Sequence, residues 1–145
     1  MSAQNKEICR RWVEEAINQR QLDRIEEFIA TDYQYHGPAE QEVRGSAGEK
    51  DSVQMYLDGF PDIKFSVEDI HAEGDKVITR WRARGTHNGV FAGYDPTGNA
   101  VDVTGIIISR IADGRIAEEW ESFDELTLMK QIGAVPRDLP PIIET

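Results

Sequence analysis

Cysteine is almost missing from this chain of 145 residues: Cys9 stands alone, so no internal disulfide can form. Nothing around it has the Cys-x-x-Cys or paired Cys/His spacing of a metal site, and it reads as a small buried hydrophobe rather than a reactive thiol. Long apolar runs are missing too, and without about eighteen consecutive apolar residues no membrane span is expected. The start, Met1-Ser2-Ala3-Gln4-Asn5-Lys6-Glu7, lacks the basic beginning and apolar middle of a secretion signal, so a cytoplasmic protein is expected. Positive charge is scarce: 16 Lys and Arg against 27 Asp and Glu leave a net charge of −11. No basic cluster reverses that balance locally, so a phosphate backbone is repelled and no nucleic-acid partner is expected. A phosphate loop, a dinucleotide fingerprint and a His-x-x-x-His helix are all absent, and neither cofactor nor metal is expected.

What is present is the composition of one ordinary globular domain, 39% hydrophobic and 30% charged. A single domain is expected over residues 1–135, followed by a proline-bearing tail over 136–145. Ile8, Cys9, Trp12, Val13, Ala16 and Ile17 recur at helical spacing, and Leu22, Ile25, Phe28 and Ile29 repeat the geometry in a second, shorter helix. Tyr33-Gln34-Tyr35-His36 alternates as a short extended segment. Ser46-x-x-Glu49 has the form of a capping box ahead of Val53, Tyr56, Leu57 and Phe60, which predicts a third helix closed by Pro61. From Ile63 the period changes to two. Strands are expected over 63–72, 76–87, 101–112 and 115–123, with a loop between 88 and 100 and a last helical turn or two after Asp124.

Asp113-Gly114 is the strongest hairpin signal in the chain. A regular two-residue turn pairs Ala112 with Arg115 and groups Ile116, Glu118, Trp120, Ser122 and Asp124 on one face, opposite Ile111, Ser109, Ile107, Gly105 and Val103. Because that face carries Trp120 and most of the apolar bulk, it is expected to turn inward and to take Glu118 and Asp124 with it. Ionised groups there are costly unless paired or functional. In the strand before, the same logic puts Val77, Thr79, Trp81, Ala83, Gly85 and His87 inside and Ile78, Arg80, Arg82 and Arg84 outside, where Glu119 and Glu121 can neutralise the arginines. Asp124 also stands where an N-cap of the last helix belongs, and both roles are compatible.

The helix order and the motifs Phe60-Pro61-Asp62-Ile63, Gly85-Thr86-His87-Asn88-Gly89-x-Phe91, Pro96-Thr97-Gly98, Asp113-Gly114-Arg115-Ile116-Ala117-Glu118 and Trp120-x-x-x-Asp124 resemble the SnoaL-like polyketide cyclase family. The resemblance spans nearly the whole chain. It implies an α+β domain of the nuclear transport factor 2-like kind, with a cone-shaped, curved antiparallel sheet packed on three N-terminal helices and enclosing a pocket. It also implies a cofactor-free intramolecular aldol closure with an aspartate base, which by motif position is Asp124, and it puts His36 and His87 at the pocket wall. His87 is therefore expected beside Asp124 in the chemistry. His36, Trp81, Trp120, Glu118, Phe91 and Tyr56 are expected against an apolar, carbonyl-bearing substrate. A carboxylate in a dry pocket suits that reaction on physical grounds, because desolvation raises its pKa toward the working pH. Two other readings stay open: an epoxide hydrolase, which requires an arginine inside the pocket, and a non-catalytic binding module. Ile78, Ile106 and Ile108 on the outer face predict a homodimer packed sheet to sheet.

Overall fold

The computed structural model of the chain describes residues 2–136, so the expected tail lies outside the described residues beyond Pro136. Helix α1 (Ser2–Arg11) continues through a wider, π-type stretch over Trp12–Asn18, and its Cys9, Trp12, Ala16 and Ile17 are buried as their spacing predicts. Leu22–Glu27 is a short 3-10 segment that buries Leu22 and Ile25. The expected second helix ends there, because Ile29 opens strand β1 (Ile29–His36). Sheet pairing begins at once: the Ile116 N–H donates to the Phe28 carbonyl at 2.7 Å.

After a short strand β2 (Glu42–Arg44), helix α2 runs over Gly45–Gly59. Its N-cap position is Arg44 with no side-chain cap, so the expected capping box does not form. Ser46 and Glu49 are both buried instead, which turns the Glu49 carboxyl toward the core. Strands β3 (Lys64–Glu73), β4 (Lys76–Thr86), β5 (Ala100–Ala112) and β6 (Arg115–Phe123) follow, and helix α3 (Glu125–Gln131) closes the described chain. They build one curved six-stranded sheet in the order β2-β1-β6-β5-β4-β3. All neighbours are antiparallel except β1 and β6. The core fills the space between the sheet and the N-terminal helices, with Trp12, Phe28, Tyr33, Phe60 and Trp81 among its largest members. Among the described residues no helix is long and apolar enough to cross a membrane.

Strand β4 has the expected faces: Val77, Thr79, Trp81 and Ala83 are buried, whereas Ile78, Arg80 and Arg84 are exposed. Strand β6 does not. The turn forms as read, with Asp113 and Gly114 both left-handed at φ 53° and 75°, and Ala112 pairs Arg115. Then Ile111 pairs Ile116 but Arg110 pairs Glu118, which leaves Ala117 as the extra residue of a β-bulge. One extra residue moves everything after it to the other face. Glu119, Glu121 and Phe123 point inward, and the expected inward set of Glu118, Trp120 and Asp124 is corrected. The arginine ladder outside is met by Asp102, which pairs with Arg82 and Arg84, and by Asp69, 3.7 Å from Arg80. Glu119 and Glu121 take no part in it.

Candidate active site

Between the sheet's inner face and the helices lies a cavity of about 140 Å³. Its size is comparable to cavities that hold one benzene ring. Trp12, Tyr56, Phe60, Phe65, Trp81 and Phe123 supply aromatic wall, and Glu49, Glu119 and Glu121 supply three carboxyl groups. Among the described residues the lining contains no Lys, Arg or His.

Glu121 is held from both sides. The Tyr35 hydroxyl donates to its Oε1 at 2.6 Å and the Trp81 indole N–H to its Oε2 at 2.8 Å. Burial pushes its carboxyl up to about 7; the two donors oppose that rise and the neighbouring Glu119 adds to it. Trp81 reaches across the sheet over Gly105, where a Cβ would stand 2.5 Å from the indole and 2.6 Å from Phe123 Cβ. Any side chain at 105 displaces the donor that holds Glu121.

Glu119 is fully enclosed and accepts from the Tyr33 hydroxyl at 2.6 Å and the Ser109 hydroxyl at 2.5 Å, while burial raises its pKa. Glu49 is pushed up to about 8 by burial first and then by the charges of Glu119 and Glu121, and the nearby Tyr33 hydroxyl opposes the rise. Cys9, also on the wall, is pushed up to about 12, chiefly by burial, and is an inert thiol at neutral pH.

Of the residues expected at the site, Trp81 and Tyr56 line the cavity. Phe91 packs behind the wall, with ring centroids 5.1 Å from Tyr56 and 5.0 Å from Phe60. His87 is wholly buried behind Phe60 at 5.5 Å, with Nδ1 3.0 Å from Thr97 Oγ1, and does not line the cavity. His36 is on the outer side, stacked on Trp120 at 5.7 Å, with Nε2 2.8 Å from Glu118 and Nδ1 2.9 Å from Glu42. Glu118 bridges His36 and Arg110, and Trp120 is 37% exposed. Asp124 is exposed and caps α3: the Thr127 N–H donates to its Oδ1 at 3.1 Å and the Thr127 hydroxyl to its Oδ2 at 2.7 Å. The epoxide hydrolase reading needs an arginine inside, and Arg80, Arg82 and Arg84 stand outside.

The three wall carboxyls were not singled out in the sequence as site residues. One signal was there: Tyr33 and Tyr35, two apart on one strand, bring buried hydroxyls that need acceptors, and Glu119 and Glu121 have the same spacing on the strand beside it. Among the described residues, no group of three or more His, Cys, Asp or Glu converges to hold a metal ion.

A sequence profile of the SnoaL-like polyketide cyclases matches residues 7–132. The chain belongs to that family. No curated protein matches it in sequence. Among solved structures, a candidate SnoaL-like polyketide cyclase from Jannaschia sp. CCS1 is 28% identical with a TM-score of 0.85, covering 93% of this chain and 95% of its own. AclR, a candidate hydroxylase from Streptomyces galilaeus, is 30% identical with a TM-score of 0.84, covering 98% of this chain and 88% of its own. IdmH, a candidate polyketide cyclase from Streptomyces antibioticus, is 34% identical with a TM-score of 0.78, covering 89% of this chain and 98% of its own. Candidate cyclases and a candidate hydroxylase thus share the fold, and the fold alone does not fix the reaction.

Proposed function

We propose that this family member is a cofactor-free cyclase or isomerase acting on a small, apolar, carbonyl-bearing molecule, with Glu121 as its general base. The observation that carries the proposal is the setting of Glu121: a carboxylate on the wall of an apolar cavity, fixed by Tyr35 and Trp81, with its pKa pushed up to about 7. A base of that pKa is half ionised at neutral pH and strong enough to take a proton from carbon beside a carbonyl. In the aldol version Glu121 removes the proton, the enolate carbon bonds to a second carbonyl carbon, and the new alkoxide recovers the proton from Glu121. Atoms and charge balance with no other reactant. The Tyr35 hydroxyl and the indole N–H stabilise the ionised base and hold its orientation.

The test is α-proton exchange into D2O on acetophenone, a ketone of about the cavity's size, followed by NMR. Wild-type protein is expected to accelerate exchange, Glu121→Gln to lose that acceleration by about 10²-fold or more, and Asp124→Asn to keep it. Wild-type protein that binds acetophenone without accelerating exchange favours the binding-module reading, and full exchange in Glu121→Gln overturns Glu121 as base.

We also propose that a second copy of this chain covers the outer sheet face. Ile78 pairs Ile108 and Ile108 pairs Trp120, so the three form one row across β4, β5 and β6, with Ile106 beside them. Ile78 and Ile106 are 44% and 50% exposed. Arg80 and Arg110 flank the row together with Asp69 and Glu118, so a copy related by a two-fold axis can meet opposite charge. Light scattering is expected to give a dimer that Ile106→Lys dissociates; a monomeric wild type at micromolar concentration sinks the idea.

A further inference from the structure

The cavity contains polar atoms that proton transfer by Glu121 leaves unused. Glu49 Oε2 is buried and has no hydrogen-bond partner, and neither has Thr79 Oγ1, on a different element of the same wall. The two residues are only 8% and 4% exposed. Oε2 of Glu49 is left as an acceptor with nothing to accept from. A buried polar atom without a partner is costly, and in a cavity wall it marks where a ligand atom belongs.

The charge around it narrows the chemistry. Among the described residues, three carboxyls and no cationic side chain line the cavity, together with the aromatic rings of Tyr56, Trp81 and Phe123. Aromatic faces and carboxylates together attract a desolvated ammonium and repel an anion. We infer that the cavity's ligand carries a basic nitrogen, bound as the ammonium, seated against Glu49 Oε2 on an otherwise apolar body of about one ring. This narrows the substrate class of the site proposed above and rests on that reading only in placing the ligand in the same cavity. An ammonium supplies several donors at once and cancels the mutual repulsion that helps raise Glu49 and Glu121.

A pH signature follows. The groups facing Glu49 are Glu119 and Glu121 from β6, Tyr33 and Tyr35 from β1, Tyr56 from α2 and Cys9 from α1. The tyrosines and Cys9 are all pushed further up, so they stay neutral across pH 6 to 8. Glu49 and Glu121, pushed up to about 8 and about 7, ionise there. Ammonium affinity therefore rises with pH, by up to about tenfold per unit for each carboxyl proton released.

The experiment compares benzylamine, benzyl alcohol, ethylbenzene and benzoate, four probes of nearly equal size, by NMR titration of the Trp81 indole N–H between pH 6 and 8. Benzylamine is expected to bind tightest, with affinity rising with pH, and benzoate weakest. Glu49→Gln is expected to remove most of the amine's advantage over the alcohol while ethylbenzene binds as before. Should that variant not fold, the wild-type series decides alone. Benzyl alcohol or ethylbenzene binding as tightly as benzylamine, benzoate binding better than either neutral probe, or an amine affinity flat with pH each overturns the inference. None of these outcomes depends on turnover, so loss of exchange in Glu121→Gln with no amine preference rejects this inference and leaves the proposed base standing.

Discussion

Glu118 and Glu119 are neighbours in β6 and have opposite surroundings. Glu118 points outward, where hydrogen bonds from His36 and Arg110 hold its carboxyl below the usual range. Glu119 points inward, where burial raises its carboxyl despite the hydroxyls of Tyr33 and Ser109. Outside, partners are charged and water is near, so the ionised form wins; inside, every donor is a neutral hydroxyl or indole, and desolvation wins. Neutral donors solvate a carboxylate without neutralising it. The same desolvation leaves Glu49 and Glu121 able to exchange protons near neutral pH, whereas Glu118 is held ionised there.

The largest effect that tests this contrast is removal of Glu119. Glu119→Ala leaves the Ser109 hydroxyl buried without its acceptor and takes from Tyr33 the acceptor 2.6 Å away, at an expected cost of about 3 kcal/mol in urea unfolding. Glu119→Gln keeps the volume and one acceptor and is expected to cost less. A loss no greater than that of Glu118→Ala breaks the contrast between the faces. The next test is pH. The inner carboxyls have folded pKa values raised above 4.5, to about 8 for Glu49 and about 7 for Glu121. The folded state then binds more protons than the unfolded one between pH 4.5 and 8, so stability falls as pH rises through that window. The slope is at most about 1.4 kcal/mol per pH unit for each proton. Glu15, Asp62, Asp102 and Glu118 are lowered instead, so their contribution is present above the unfolded pKa and lost as pH falls through the folded one. The melting temperature is therefore expected to peak near pH 5. His36, raised by Glu118 and Glu42, acts in the same direction as the inner group, and its stabilisation is lost as pH rises. A His36→Gln background separates the two, and a neutral-pH limb that Glu121→Gln leaves unchanged sinks the assignment to the cavity.

Much of this was legible beforehand, and what was not has an identifiable cause. Period-two patterning placed every residue of β4, because Val77 to Ala83 run without interruption. The same reasoning failed in β6 at one residue. Ala117 has neither glycine's backbone nor a distinctive side chain to announce a bulge, and Trp120, the largest residue after it, argues for the wrong face. Trp120 settles outside by stacking on His36, a contact between strands that no local pattern contains. The capping box failed for a related reason: Ser46 and Glu49 have the right spacing, but tertiary burial claims both side chains. The fold depends on many residues that agree, whereas the site depended on the parity of one strand.

The smallest expected effect concerns the residue that the motif put forward as base. Asp124 follows Phe123, the last residue of β6, and its side chain is engaged by Thr127. Helix α3 in turn holds β5, since Gln131 accepts from the Asp102 N–H at 2.9 Å and donates to the Asp102 carbonyl at 3.1 Å. Asp124→Ala removes the cap and is expected to cost about 1 kcal/mol. Asp124→Asn retains an acceptor for the Thr127 N–H, and its expected cost is a few tenths of that. Exchange on acetophenone should survive both. If Asp124→Asn instead abolished exchange at unchanged melting temperature, the base would lie on the exposed side of β6, and the link drawn here between burial and proton transfer would be wrong.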